Sequence, residues 1–115
     1  MEKAYDFVKK ISNTSYVKGT SSKIEVISHR MPMFRTKETE MLFEKLKRNS
    51  LANGLGDLVP VESGGGSDSA YTQLAGVPSV CALGTCGDFC HTEKEYAEIT
   101  SLVKRAKLLA TTILS

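Results

Sequence analysis

The segment that decides the fold is a glycine run leading into a short polar stretch, Gly64-Gly65-Gly66-Ser67-Asp68-Ser69-Ala70-Tyr71. Glycines carry no side-chain bulk, so their backbone can approach another group closely, and amides at a helix start bind anions such as a carboxylate. The same residues suit a tight strand-to-helix turn, in which the glycines adopt positive φ and Ser67 or Asp68 caps the helix. Both interpretations predict that a helix begins in this segment. The usual phosphate-binding motifs are excluded, because no Gly-Lys-Ser/Thr follows and Gly-x-Gly-x-x-Gly is absent.

A second polar segment follows at residues 87–96 and reads GDFCHTEKEY. Its histidine, His91, lies close to Glu93 and Glu95. A neutral imidazole can hold a metal or a proton, although a histidine in this setting is also an ordinary surface-loop residue. One histidine makes no metal site, so the remaining ligands would have to come from elsewhere.

The rest of the chain alternates between helical and strand-like patterns of apolar residues. Helices are predicted over residues 2–13, 37–53 and 69–74 and over a final segment from Ile99 to Ile113. Thr36 is the predicted N-cap of the second helix, and Thr100 or Ser101 that of the last. Strands are predicted over residues 23–28, 58–62 and 77–84, and a long loop over 85–98. This order indicates an α/β fold with a mostly parallel sheet.

Composition limits the possible partners. The chain has 115 residues, of which 41% are apolar and 24% charged, so it is one modest domain or a piece of a larger one. The net charge of +2 is small and the basic residues are interspersed with acids, which argues against a nucleic-acid partner. The sequence contains neither an apolar run that would cross a bilayer nor a secretory signal at its start. We therefore expect a cytoplasmic protein with no membrane partner.

The three cysteines are an odd number, which indicates free thiols rather than a disulfide framework. Cys81 lies in an apolar run and is predicted to be a small buried residue. Cys86, Cys90 and His91 offer a separate hypothesis, a small structural zinc module in one loop. The adjacent pair Cys90-His91 fits a single tetrahedron poorly, which weakens that hypothesis.

The combined motifs resemble the carboxyl-terminal part of the M20 metallopeptidases. These are zinc exopeptidases and deacylases that include glutamate carboxypeptidases, acetylornithine deacetylase and succinyl-diaminopimelate desuccinylase. The resemblance covers residues 60–115 strongly and residues 1–59 more loosely. It rests, in chain order, on the glycine run, Ala75-Gly76-Val77-Pro78, Leu83-Gly84, His91-Thr92, Glu95-Tyr96 and Ile99.

The resemblance implies a division of the chain at residue 31. Residues 1–31 look like the final helix and strand of a lid or dimerisation domain. Residues 32–115 look like the carboxyl-terminal part of the catalytic domain, a partial three-layer α/β sandwich.

The resemblance also assigns roles to individual residues. His91 looks like the last zinc ligand of a two-zinc site, and Gly65, Gly66 and Ser67 look like the turn that lines the substrate pocket. Arg30 lies near the position where relatives bind the substrate carboxylate. In the complete enzyme these residues would act on a peptide or an N-acyl amino acid, with cleavage of an amide bond next to a terminal amino acid.

The family's His-x-Asp motif, bridging aspartate and Glu-Glu pair are absent from this sequence. A catalytic zinc needs about three protein ligands and a nearby base. The chain alone is therefore expected to be inactive and to hold no zinc stably. Exposed apolar surface and unpaired strand edges would make it self-associate. The alternative from another class is a standalone binding or assembly domain without catalysis.

Overall fold

The computed structural model of the protein describes residues 2–115. The chain divides into two compact units, Met1–Arg30 and Met31–Ser115. The described residues of the first unit form one helix, α1 (Glu2–Ser12). This helix is amphipathic, as its sequence predicts, and it ends where the Asn13 N–H donates to the Lys9 carbonyl at 3.1 Å. The predicted helix over residues 2–13 is therefore confirmed to within one residue.

The strand predicted over residues 23–28 is not formed. A strand exists only where a neighbour pairs its N–H and C=O groups, and the described residues of the first unit contain no second strand. Val26 and Ile27 are 54% and 94% exposed, so their β-branched side chains have no sheet face to pack on.

The second unit contains three helices and a small sheet. The helices are α2 (Lys37–Ala52), α3 (Ser69–Leu74) and α4 (Ile99–Ile113). The strands β1 (Gly87–Asp88) and β2 (Tyr96–Ala97) are antiparallel, with Gly87 opposite Ala97 and Asp88 opposite Tyr96. The helices agree with the prediction. Together they form a mixed architecture that is compatible with part of an α/β domain.

Of the two predicted helix N-caps, one is correct and the other is wrong. Thr36 is the N-cap of α2, as predicted, since its hydroxyl accepts from the Thr39 N–H at 3.2 Å. The N-cap of α4 is Glu98 rather than Thr100 or Ser101, and it makes no side-chain cap bond. The Ser101 hydroxyl instead donates to the Glu98 carbonyl at 2.6 Å and accepts from the Cys86 N–H at 2.8 Å.

The predicted mostly parallel sheet is absent from the described residues, because residues 58–62 and 77–84 form no strand. Their apolar side chains remain largely exposed, at 72% for Val59, 80% for Val61 and 56% for Val77. β-Branched composition favours a strand only when a sheet face is available to cover it. No such face is present within residues 2–115.

The core lies where α2 meets α4. Leu46 of α2 and Leu108 of α4 are 2% and 1% exposed. Ser50 is also buried and satisfies its hydroxyl by donating to the Gly56 carbonyl at 2.6 Å. Among the described residues, every helix is too short or too polar to traverse a bilayer.

Candidate functional site

His91 lies in the connection between β1 and β2, and the close approach of these strands begins at Gly87. A β-carbon on Gly87 would lie 2.1 Å from the Tyr96 carbonyl oxygen, so only glycine fits there. The rings of Phe89 and Tyr96 lie 6.3 Å apart in a tilted arrangement at the same end of the connection. The two strands therefore bring the ends of the His91 connection together.

Thr92 organises the interior of this connection. Its hydroxyl donates to the Phe89 carbonyl at 2.7 Å and accepts from the Lys94 N–H at 3.2 Å. Its carbonyl accepts from the Glu95 N–H at 3.1 Å. Such local bonds from a threonine stabilise a turn that lies outside the helices and strands.

His91 itself is exposed and has a left-handed backbone, with φ of +66°. Phe89, two residues earlier, is also left-handed, with φ of +59°. Residues other than glycine rarely adopt this conformation, and such strain concentrates at active sites and ligand-binding segments. The His91 N–H donates to Oε2 of Glu95 at 3.1 Å, so a carboxylate four residues on supports the strained position.

The start of β1 is anchored on α4 through Cys86. The Cys86 carbonyl accepts from the Glu98 N–H at 2.8 Å, and its sulfur lies 3.5 Å from Nη2 of Arg105. Cys86, Glu98 and Arg105 also line an open cavity of about 190 Å³, together with residues from the end of α2 and the following loop. His91 does not line this cavity, so the cavity is separate from the predicted metal ligand.

The glycine run forms an exposed turn before α3. The left-handed glycines of the described chain lie elsewhere, so positive φ is not what these three glycines supply. The Gly65 N–H donates to the Ser63 hydroxyl at 3.1 Å. The Ser67 hydroxyl accepts from the Ser69 N–H at 3.1 Å and donates to the Cys81 sulfur at 2.9 Å. Ser67 thus ties the helix start to a neighbouring segment.

Cys81 was predicted to be buried, and the structure shows that it is exposed. The apolar run around it forms no strand, so no second layer covers the thiol, and Ala82 next to it has a left-handed φ of +62°. Cys86 and Cys90 are also free, as predicted from the odd number of cysteines.

The predicted site residues of the second unit lie in two places. Gly65, Gly66 and Ser67 share the turn before α3, and His91 lies in the connection between β1 and β2. No hydrogen bond of the described residues joins His91 to that turn. Arg30 is the last residue of the first unit and is exposed.

The residues present do not fit a zinc site by themselves. Within residues 2–115, no three His, Cys, Asp or Glu side chains come together in a group that could hold a metal ion. A zinc site takes three or four protein ligands. Cys86, Cys90 and His91 are not gathered into such a group here, so the zinc module stays a prediction, and a site at His91 needs ligands from elsewhere.

Sequence reasoning missed three residues that shape this region. The sequence marks Glu95 as an acid near the histidine and as part of the family motif, but not as the residue that turns back onto His91. Gly87 was not recognised as a close-approach position, and a glycine opening a short hairpin is a signal for one. Ser101 was considered only as a helix cap.

Comparisons with known proteins identify the family. Neither the curated proteins nor the solved structures gave a significant match. The sequence model of one family, described as peptidase family M20/M25/M40, matches residues 6–115. This match spans nearly the whole chain and includes both the glycine run and the His91 connection. The chain therefore belongs to peptidase family M20/M25/M40.

Proposed function

We propose that this chain is the carboxyl-terminal portion of a zinc-dependent exopeptidase or deacylase, and that it is inactive by itself. The observation that carries the proposal is the family match over residues 6–115, which supports a peptidase or deacylase function. The parent enzyme would hydrolyse an amide bond next to a terminal amino acid, in a peptide or an N-acyl amino acid. Glutamate carboxypeptidases, acetylornithine deacetylase and succinyl-diaminopimelate desuccinylase are the relatives that the sequence resembles.

His91 is the residue of this chain that we assign to zinc. Its exposure and its left-handed backbone support this role, because an imidazole at a strained, accessible turn can bind a metal together with ligands from another segment. When bound, zinc would act as a Lewis acid on the substrate carbonyl. Within residues 2–115 no three such ligands come together, so the site needs a second segment to be complete.

Arg30 and the glycine turn are assigned to substrate binding. A guanidinium can pair with a substrate carboxylate through two parallel hydrogen bonds. The exposed turn at Gly65 and Gly66 leaves backbone accessible, and Ser67 fixes its end through Cys81. These residues would orient the substrate, which lowers the entropic part of the barrier.

The same proposal covers domain organisation. Residues 1–31 would end a lid or dimerisation domain, and residues 32–115 would be part of a three-layer catalytic sandwich. The exposed apolar side chains at residues 58–62 and 77–84 support this view, since further strands would cover them. A cytoplasmic location is included, because the three cysteines are free thiols.

An activity assay tests the proposal. The purified chain, supplied with zinc, should release no terminal amino acid from peptide or N-acyl amino acid substrates, while a zinc exopeptidase in the same assay does. Turnover that disappears in His91→Ala would contradict the inactivity of the chain. Sequencing the DNA upstream of the Met1 codon adds an independent check, since a reading frame that encodes His-x-Asp supports a longer parent.

The metal assignment is tested in that parent protein. His91→Ala should lower its zinc content by one ion per site, measured by elemental analysis. The chain has two histidines, so His29→Ala is a matched control that should keep full zinc content. Equal zinc content in the two variants would overturn the role of His91.

A second candidate function, a binding or assembly domain, is favoured by the amount of exposed surface. The chain exposes 9614 Å². A compact protein of its mass would expose about 6,200 Å², and two separate units of the same total mass about 7,300 Å². The excess over two separate units is larger than the roughly 800 Å² that each partner buries in a standard-size interface.

We infer that a second copy of the chain covers part of this surface through α4. Three apolar residues of that helix, Ile99, Val103 and Ile113, are 84%, 73% and 81% exposed, although Leu108 on its other side is buried. Apolar residues 99, 102, 106, 109 and 113 follow the spacing at which helices pair through a common seam. A seam of this kind is complementary to itself, which suits a symmetric pair.

A further inference from the structure

We propose that Glu95 is a positioning residue for His91. Its carboxylate holds the His91 backbone in the left-handed conformation and thereby sets the direction in which the imidazole projects. The metal-binding role of His91 rests on the proposed function. The contact between Glu95 and His91 rests on the geometry of residues 87–97 alone.

The contact between the two residues is direct. Oε2 of Glu95 accepts the His91 N–H at 3.1 Å. A hydrogen bond to an ionised carboxylate is stronger than one to a neutral acceptor. The bond acts on the backbone of His91 and leaves both ring nitrogens available.

Glu95 is itself held in place on both sides. Its N–H donates to the Thr92 carbonyl at 3.1 Å, and the next residue, Tyr96, is paired with Asp88 in the sheet. The carboxylate therefore projects from a fixed backbone. The fixed backbone limits the positions that the carboxylate can take around the His91 N–H.

The His91 conformation needs such support. In the left-handed region the β-carbon of an L-residue crowds its own carbonyl, and the conformation persists only when its surroundings determine it. Phe89 has similar strain, but its carbonyl is held by Thr92. At His91, the Thr92 N–H closes the surrounding turn on the Phe89 carbonyl at 3.1 Å, and the His91 N–H itself is held by Glu95.

Glu93 provides a matched control. It has the same side chain, lies in the same connection and is two residues from His91. In the structure it is exposed and takes no part in a hydrogen bond or an ion pair. A change that only removes negative charge near His91 should therefore act equally at Glu93 and Glu95, whereas a positioning role is confined to Glu95.

The experiment is amide hydrogen exchange by NMR on the full chain, with the carbon chemical shifts of His91 as a measure of its backbone conformation. In Glu95→Ala, His91 should exchange about tenfold faster, as expected for the loss of one hydrogen bond, and its left-handed shifts should disappear. Glu95→Gln should retain most protection, because its amide oxygen still accepts. Glu93→Ala should match the unaltered protein, and the amides of α2 and α4 should remain protected in all variants.

Unchanged exchange and shifts at His91 in Glu95→Ala would overturn the proposal, as would an equal effect of Glu93→Ala. Loss of protection throughout α2 and α4 would also overturn it, because Glu95 would then support the whole fold rather than one residue. The readout needs no metal. If His91→Ala leaves the zinc content of the parent enzyme unchanged, the proposed function fails while the positioning of His91 by Glu95 stands.

Discussion

The side chain of Gln73 holds the backbone of Phe34 from both sides. Its Nε2 donates to the Phe34 carbonyl at 2.6 Å, and its Oε1 accepts the Phe34 N–H at 2.7 Å. Nε2 also lies 3.1 Å from the hydroxyl of Thr39, in the first turn of α2. One amide therefore joins α3, α2 and the extended segment before α2. This contact spans 39 residues of sequence and lies entirely within the second unit.

Gln73→Ala should release the segment at Phe34. We expect the Phe34 amide to lose its protection from hydrogen exchange and the free energy of unfolding to fall by about 1 kcal/mol, because three hydrogen bonds, two of them exposed, are removed. Leu74→Ala is the control, since Leu74 lies on the same helix and is 55% exposed. If both variants leave Phe34 equally protected, the amide of Gln73 does not hold the segment.

Leu108→Ala should destabilise the second unit strongly. Leu108 is 1% exposed in the core between α2 and α4, so its truncation leaves a cavity that costs about 2–5 kcal/mol. Chemical denaturation followed by circular dichroism measures the change. The neighbouring Leu109 is 39% exposed, and Leu109→Ala should cost clearly less. Equal losses would show that the core does not centre on Leu108.

Gly87→Ala should separate β1 from β2. The added β-carbon would lie 2.1 Å from the backbone carbonyl of Tyr96, and a backbone cannot move away as a flexible side chain can. We expect a loss of about 2 kcal/mol and of the cross-strand NMR contacts between residues 87 and 97. Gly84→Ala is the control, because a β-carbon there meets nothing within 4 Å. Retention of the cross-strand contacts in Gly87→Ala would contradict the close approach.

Self-association should depend on the exposed face of α4. We expect the chain to sediment as a dimer or larger species at high concentration, and Val103→Glu to shift it towards monomer, because the carboxylate would be buried on the apolar face of α4 that a second copy covers. Thr100→Glu adds the same charge at an exposed position of the same helix and should leave association unchanged. A monomer at all concentrations argues against a second copy on this face. If Val103→Glu sediments as the unaltered chain does, the contact lies elsewhere.

The helices could be predicted from sequence because their signals are local. Periodic apolar residues marked α1, α2 and α4, and Thr36 supplied a cap that acts within its own first turn. The predicted strands at 23–28, 58–62 and 77–84 failed for the opposite reason. Composition shows that a segment can be a strand, but pairing depends on residues far away in the chain, and none of the described residues supplies a partner.

The candidate site divides in the same way. The sequence identified His91 and the glycine run from their residue types and order. It did not show that Ser67 bonds to Cys81 or that Glu95 turns back onto His91, because both contacts depend on the path of the backbone. Cys81 was placed in the interior because its neighbours are apolar, and that inference required a sheet that does not form. The roles of Arg30, Gly65 and Gly66 remain predictions from the family resemblance.

The left-handed backbone of His91 has a consequence for stability. Glycine would adopt its φ of +66° without crowding, whereas a side chain costs about 1–2 kcal/mol there. His91→Gly should therefore make the isolated chain more stable while removing the one imidazole of this connection. A higher unfolding midpoint for His91→Gly than for His91→Ala would show that a side chain at this position lowers stability. At position 91 the chain therefore carries an imidazole, although the backbone conformation there favours a residue without a side chain.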